Sequence, residues 1–267
     1  MKLHKKARRC RTTAPGIFTI IMVLVIGFVA AVPAVHGLEL TADQLIEEAE
    51  SVLSPASYYY EMSITTEKPG GSDRTLEMEG YYKEGSGSYI ELTGPARSRG
   101  IRFLELDDAL YMFNPRSNSR RAIRLSPKAS FQGTVFSNND VSDPDYSANY
   151  DSRIEGTLRL DHPQLGTVEV IKLIAEAKKQ TAPYDKLIMY ILPDTYIPVK
   201  IDYFAKSGLH FKEMELYDIR EMAGRQRPTT WKMRSLEQQD TYSIVTLENM
   251  ELQDIPDSQF TRQRLTR

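Results

Sequence analysis

Three connections in the C-terminal third do most to limit what this chain can fold into. Pro193-Asp194, Lys206-Ser207-Gly208 and Gln239-Asp240 each separate runs rich in Tyr, Ile, Val, Thr and Phe. Links this short leave no room for a crossover helix, so the runs they join must be antiparallel neighbours. The same alternation of β-rich run and turn recurs along most of the chain. It appears at 58–66, 74–82, 88–93, 102–106, 109–113 and 120–125, then at 153–160, 166–175, 186–192, 197–205, 209–220, 229–238 and 241–251. A meander of about a dozen strands is best satisfied by a barrel or a strongly curved sheet.

Two segments depart from this period. Thr41-Ala-Asp-Gln44 reads as a capping box, and Leu45, Ala49, Val52 and Leu53 follow at helical spacing. Residues 42–53 are therefore predicted to form an amphipathic helix, ended by Ser54-Pro55. Residues 126–150 are rich in Ser, Asn, Asp and Pro but carry Phe131, Val135 and Phe136. They read as a long, partly helical insertion of the kind that serves as a lid or binding loop. The tail after Phe260 is polar and basic and is expected to fray.

The first 37 residues hold Lys2, Lys5, Lys6, Arg8, Arg9 and Arg11 and no acid, followed by an apolar run from Ile17 to Ala31. The run is shorter than the ~20 residues of a spanning helix, so 1–37 reads as a signal peptide cut before Leu38. An uncleaved inner-membrane anchor is the alternative; either places the body in the periplasm or facing it. The only cysteine, Cys10, precedes the apolar run, where it cannot be a lipidation site, and the rest of the chain has neither disulfide nor thiolate.

With the leader set aside, the body carries eight more acidic than basic residues. That balance excludes a general nucleic-acid binder, and no nucleic-acid partner is expected. Hydrophobic residues at 41% suffice for a packed core. Leu187-Ile-Met-Tyr-Ile-Leu192 is apolar on both faces, and Met214 and Leu216 share one face of their strand while Phe211, Tyr217 and Ile219 share the other. Such strands must be covered twice. The cover is either a helix packed inside the sheet or a bound lipid.

Catalytic constellations are missing. The closest approach to a nucleophile elbow, Ala96-Arg97-Ser98-Arg99-Gly100, has Ala in the first place. Of the two histidines after the leader, His162 lies in a predicted turn and His210 in a strand, facing the same way as Lys212 and reading as a surface residue. Asp140, Asp143 and Asp145 lack the spacing and glycine of a calcium loop. No catalytic residue, metal ligand or cofactor is assigned. One charge pattern stands out: between Ala109 and Asn139 there is no acid, while Arg116, Arg120, Arg121 and Arg124 cluster at a hairpin. They form either a solvated strand edge or a patch for anionic headgroups or an acidic partner.

These segments also carry a resemblance. Gly100-Ile-Arg-Phe-Leu-Glu-Leu-Asp-Asp-Ala-Leu-Tyr-Met-Phe-Asn-Pro115, Arg121-Ala-Ile-Arg124, Ser130-Phe-Gln-Gly133 and Phe136-Ser-Asn-Asn-Asp140 resemble the central block of the bacterial outer-membrane lipoprotein-sorting family. Tyr196-Ile-Pro-Val-Lys-Ile-Asp-Tyr203, Gly224 before Arg227-Pro228-Thr229, and Phe260 continue the pattern. The resemblance implies a mainly β (α+β), LolA/LolB-like fold: an open, unclosed antiparallel β-barrel with an N-terminal helix and a helical insertion covering an apolar cavity. It implies one lipoprotein-sorting domain over 38–267. It further implies a non-enzymatic periplasmic carrier that takes acylated lipoproteins or other lipids toward the outer membrane, between an inner-membrane exporter and an outer-membrane acceptor.

A carrier is physically coherent, because each acyl CH₂ hidden from water is worth about 0.8 kcal/mol. The expected cavity residues are Phe103, Met112, Met189, Ile191, Met214, Leu216 and Trp231, with Phe131 and Phe136 on the closing insertion. The rival is a sensor or transporter-accessory binding module on the same scaffold; a lipid hydrolase is a third class that lacks a visible nucleophile and base.

Overall fold

The computed structural model describes residues 40–267 apart from Asp108, Arg120, Asp143, Pro144 and Thr181. Residues 1–37, expected to be a signal peptide cut before Leu38, and with them Cys10, lie outside the described residues, as does Arg120 of the basic cluster. Among the described residues no helix is long and apolar enough to cross a membrane.

The β-rich runs become thirteen strands of one antiparallel sheet. In chain order they are β1 (Ser57–Glu67), β2 (Arg74–Lys83), β3 (Gly87–Gly94), β4 (Arg102–Leu106), β5 (Ala109–Phe113), β6 (Ile123–Leu125), β7 (Tyr150–His162), β8 (Gly166–Ala177), β9 (Lys186–Ile191), β10 (Pro198–Phe204), β11 (His210–Met222), β12 (Arg225–Ser235) and β13 (Tyr242–Leu252). Sequential strands pair, and β1 also pairs with β13, so the sheet runs β6-β5-β4-β3-β2-β1-β13-β12-β11-β10-β9-β8-β7. The edges left unpaired are β6 and β7, which the insertion joins in sequence. The sheet is thus open, as expected.

One face of the sheet, here the inner face, is covered by α1 (Ala42–Leu53) and by the insertion, whose helical parts are α2 (Asn138–Ser142) and α3 (Tyr146–Asn149). Thr41 caps α1 as its sequence requires: its hydroxyl accepts from Gln44 N–H while the Gln44 side chain accepts from Thr41 N–H. Leu45, Ile46, Ala49, Val52 and Leu53 are buried, and most of them join the main core with Ile64, Met78, Phe103, Phe131, Leu187 and Ile201. At the helix C-terminus the buried Arg227 guanidinium donates to Val52 O, one of the carbonyls that no helical N–H can satisfy. Arg225 adds bonds to Glu48 and Ser51.

Four expectations need correction. The tail does not fray: α4 (Arg262–Thr266) returns to the outer face, where Leu265 is fully buried among Tyr89, Leu104, Phe113 and Phe260. Its apolar residue finds a pocket that sequence-local reasoning could not see. His162 is not in a turn but ends β7, buried, with Nε2 at 3.1 Å from Leu216 O. His210 does not face the same way as Lys212. The pairing of β10 with β11 shifts register between Tyr203 and Phe204, and the extra residue sends His210 to the outer face, stacked on Phe204. The same bulge turns Phe211 toward the main core, against Tyr184, instead of away from Met214.

Candidate functional site

The inner face is where the structure gathers its least ordinary features. Between sheet and cover lies a cavity with about 40 Å³ of free space, room for roughly three waters. Its wall is Tyr58, Tyr60 and Met62 from β1, Leu247 and Met250 from β13, Trp231 from β12, Met214 from β11 and Tyr203 from β10. Leu53 and Ser54 close it at the end of α1; Phe136, Asp140, Val141, Ser142 and Tyr146 close it from the insertion. Alternation along β1 puts Tyr58, Tyr60, Met62 and Ile64 on this face. Opposite Tyr60 sits Gly80, where an added Cβ would run into the Tyr60 ring; the glycine makes the space in which that aromatic ring lies flat on β2.

Against this apolar wall the insertion presents one buried carboxylate. Asp140 Oδ2 accepts from Tyr184 O–H at 2.6 Å and from Ser137 N–H at 2.7 Å. The Ser137 hydroxyl in turn accepts from Asp140 N–H at 3.2 Å. Lys212 Nζ approaches Tyr184 Oη at 3.4 Å. Burial pushes the Tyr184 hydroxyl well above its ordinary range, and the Asp140 charge adds to this. Burial also pulls the Lys212 ammonium below its ordinary value, opposed first by the charge of Asp140. The insertion is further tied to β13, because the Ser243 hydroxyl accepts from Val135 N–H at 3.0 Å.

A second joint links the two covers to each other. Glu50 of α1 accepts from Ser147 N–H at 2.9 Å. Burial, helped by the neighbouring charge of Asp145, raises its carboxyl to about 7 despite that hydrogen bond.

Of the residues singled out in the sequence, Phe136, Met214 and Trp231 line the cavity. Phe103, Phe131, Met189, Ile191 and Leu216 are buried in the same inner-face core around it, and Met112 packs against that core. The cavity-lining residues missed by sequence include those of β1 and β13, whose alternation was available, Tyr203 of β10, the end of α1, and, from the insertion, Val141, Ser142, Tyr146 and Asp140, whose partners are 3 and 44 residues away. Arg116, Arg121 and Arg124 are exposed beside the short edge strand β6. Arg116 also donates to Ala96 O at 2.7 Å and Arg99 O at 3.0 Å, joining its hairpin to the preceding one. Away from the cavity, Asp202, His210 and Glu213 converge on the outer face. Their carboxylates are already met by Lys200, 3.2 Å from Asp202 and 3.5 Å from Glu213, and by Arg234.

Comparison with known proteins places this architecture. Residues 84–267 match the model of a family described as "uncharacterized protein". Among curated proteins no sequence matches. Among solved structures, a LolA superfamily protein from Nitrosomonas europaea superposes with a TM-score of 0.76 at 22% identity, over 85% of this chain and 100% of the other. A DUF1329 family protein from Desulfovibrio piger gives 0.72 at 19% identity, covering 84% and 97%. An outer membrane lipoprotein-sorting protein domain from Vibrio parahaemolyticus gives 0.72 at 16% identity, covering 85% and 98%.

Proposed function

This chain belongs to the family matched over residues 84–267 and has the LolA-superfamily fold, and from that premise we propose that it is a periplasmic, non-enzymatic carrier of acyl chains. It shelters the chains of lipoproteins or other lipids on the inner face of its sheet and moves them toward the outer membrane, from an inner-membrane exporter to an outer-membrane acceptor. Residues 1–37 direct export, and 38–267 act as one domain.

The observation that carries the reading is the mismatch between wall and contents. The wall around the cavity is apolar, deformable and rich in Met, with Met62, Met214 and Met250 among its members. The closed cavity is nevertheless far too small for an acyl chain. Its contents are the chain's own cover: the apolar faces of α1 and the insertion. An acyl chain competes with that cover for the same surface, so loading requires the cover to move and unloading lets it return. Phe136, Met214 and Trp231 meet the chain first. Phe103, Met112, Phe131, Met189, Ile191 and Leu216 become available as the cover lifts, and the hairpin arginines Arg116, Arg120, Arg121 and Arg124 face headgroups or the partner.

Native mass spectrometry of the protein purified from membrane-containing cells tests this. Bound phospholipid or lipopeptide supports carriage. A stable protein complex without lipid points to the sensor class, and turnover of added lipid to an enzyme.

A further inference from the structure

We infer that the rim where the insertion meets the hairpins binds the anionic, phosphate-bearing headgroup of the lipid whose chain occupies the inner face. This deepens the carrier reading and rests on it. The strand directions put the connections 68–73, 178–185, 205–209 and 236–241 at one end of the sheet. Two hollows of about 370 and 470 Å³ lie there and share Lys128 and Phe211. One is also lined by Lys68 and Lys212, the other by Lys178, Lys179 and Lys206, against Glu237 and Asp185 as their acids. At the opposite end, the connections 84–86, 107–108, 163–165, 192–197 and 223–224 contain Glu84, Asp107, Asp108 and Asp194 and neither Lys nor Arg, whereas the four rim connections hold Lys68, Lys178, Lys179 and Lys206 beside Asp73, Asp185, Glu237 and Asp240. A body that is acidic overall therefore concentrates lysine at one end.

Most of these lysines, like Lys186 and Lys232 elsewhere, have no carboxylate at ion-pair distance among the described residues, whereas other lysines are paired. Elsewhere Lys83 pairs with Asp257, Lys172 with Glu155 and Lys200 with Asp202. At the rim, Lys178 lies 3.7 Å from Asp151, and among the described residues no carboxylate lies within 4 Å of Lys68, Lys128, Lys206 or Lys212. Lys128 Nζ has Gln180 O at 3.4 Å. The Lys212 ammonium sits over the Tyr184 and Phe211 rings. A half-buried cation of this kind pays for its lost hydration until an anion arrives.

The rim is also continuous with the cavity. Lys212 lines the first hollow and Met214, on the same face two residues on, lines the cavity. Val135 lines the hollow and Phe136 the cavity. Tyr184, in the second hollow, packs on Tyr203 of the cavity wall at 4.6 Å. A headgroup at the lysines would thus have its chain pointing at the apolar wall.

Calorimetry of the full chain with short-chain lipids kept below their micelle concentrations tests the assignment. Dihexanoyl phosphatidylglycerol is expected to bind about tenfold more tightly than dihexanoyl phosphatidylcholine, which carries the same chains and no net charge. Lys128→Gln with Lys206→Gln, both exposed positions, should cut that preference to about threefold or less and leave the phosphatidylcholine affinity alone. Equal affinities for the two lipids would overturn the headgroup site while leaving the carrier reading intact. No binding of either lipid would sink both. Inorganic phosphate bound as tightly as the lipid, and lost in the double variant, would make this a free-anion site and overturn the inference.

Discussion

The two segments that cover the inner face both bury apolar residues in the main core and differ in regularity and in the polar contacts added to them. α1 is a regular helix: a capping box starts it, Arg227 and Arg225 secure its end, and five buried apolar residues attach it. The insertion has two short helical turns; it too buries apolar residues in the main core, Phe131, Val135, Phe136, Val141 and Tyr146, and adds buried polar contacts, with Asp140 accepting from Tyr184 and Ser137 and Ser243 accepting from Val135 N–H. Apolar attachment is non-directional and weakens gradually as surfaces slide. A buried carboxylate with two donors is all-or-none, because each bond lost leaves a polar group stranded. The contrast makes the insertion, with its buried carboxylate, the segment proposed to move as a gate, and α1 the segment expected to stay with the folded core.

The largest expected effect tests the α1 half of this contrast. Ile46→Ala removes a side chain that is 1% exposed and should cost about 2–5 kcal/mol of global stability, read by chemical denaturation. A loss confined to local exchange, with the global midpoint unmoved, would mean that α1 is itself a detachable lid. Next, Asp140→Ala leaves the Tyr184 hydroxyl and Ser137 N–H without their acceptor and should cost roughly 1–3 kcal/mol. That loss should appear as faster amide exchange across 131–142, with exchange in α1 little changed. Uniform acceleration over the whole chain would erase the distinction.

The joint between the covers supplies a smaller, pH-dependent effect. The Glu50 carboxyl is raised to about 7, above the ~4.3 of an unfolded glutamate. The folded state therefore binds that proton more readily. Its destabilising contribution is fully present above pH ~7 and is relieved as the pH falls toward ~4.5, so the folded state gains stability in that window. Glu50→Gln keeps an acceptor for Ser147 N–H and removes the titration. It should raise stability at pH 8 by roughly 1–2 kcal/mol, since Glu50 is incompletely buried, and flatten the profile between pH 5 and 8. Thermal melts across that range decide the matter; parallel profiles for the two proteins would remove Glu50 from the account. The smallest effect belongs to the arginines. Changing Arg116, Arg120, Arg121 and Arg124 to Gln should move the melting temperature little, yet slow association with anionic vesicles at low salt. Equal stopped-flow rates would leave them as edge protection for β6.

The same contrast explains how much the sequence revealed. The limits of α1, β4 and β5 coincide with the predicted ones because capping, helical spacing and tight turns are local. Openness between β6 and β7 follows from a meander interrupted by 126–150. The bulge at Tyr203/Phe204 left no local mark, so the faces of His210 and Phe211 were misread. Leu265 looked like part of a loose tail because its pocket is formed by residues from Tyr89 to Phe260. Asp140 looked like a loop acid because the tyrosine that makes its burial tolerable comes 44 residues later. At the cavity, Met189 and Ile191 of the two-sided strand are buried in the inner-face core around it, while the plain alternation of Tyr58, Tyr60 and Met62 marks its lining.

The gate itself is open to direct measurement. With Cys10→Ser, cysteines introduced by Glu50→Cys and Ser147→Cys can be joined by a short cleavable thiol cross-linker, fixing the insertion to α1 where Ser147 N–H now meets Glu50. Uptake of a fluorescent acylated peptide is then followed before and after the linker is cut. The account predicts that the linked protein takes up the peptide at least about tenfold more slowly and regains the original rate on cleavage. Equal uptake by the linked and cut forms would show that chains reach the inner face without moving this cover, and would contradict the central claim.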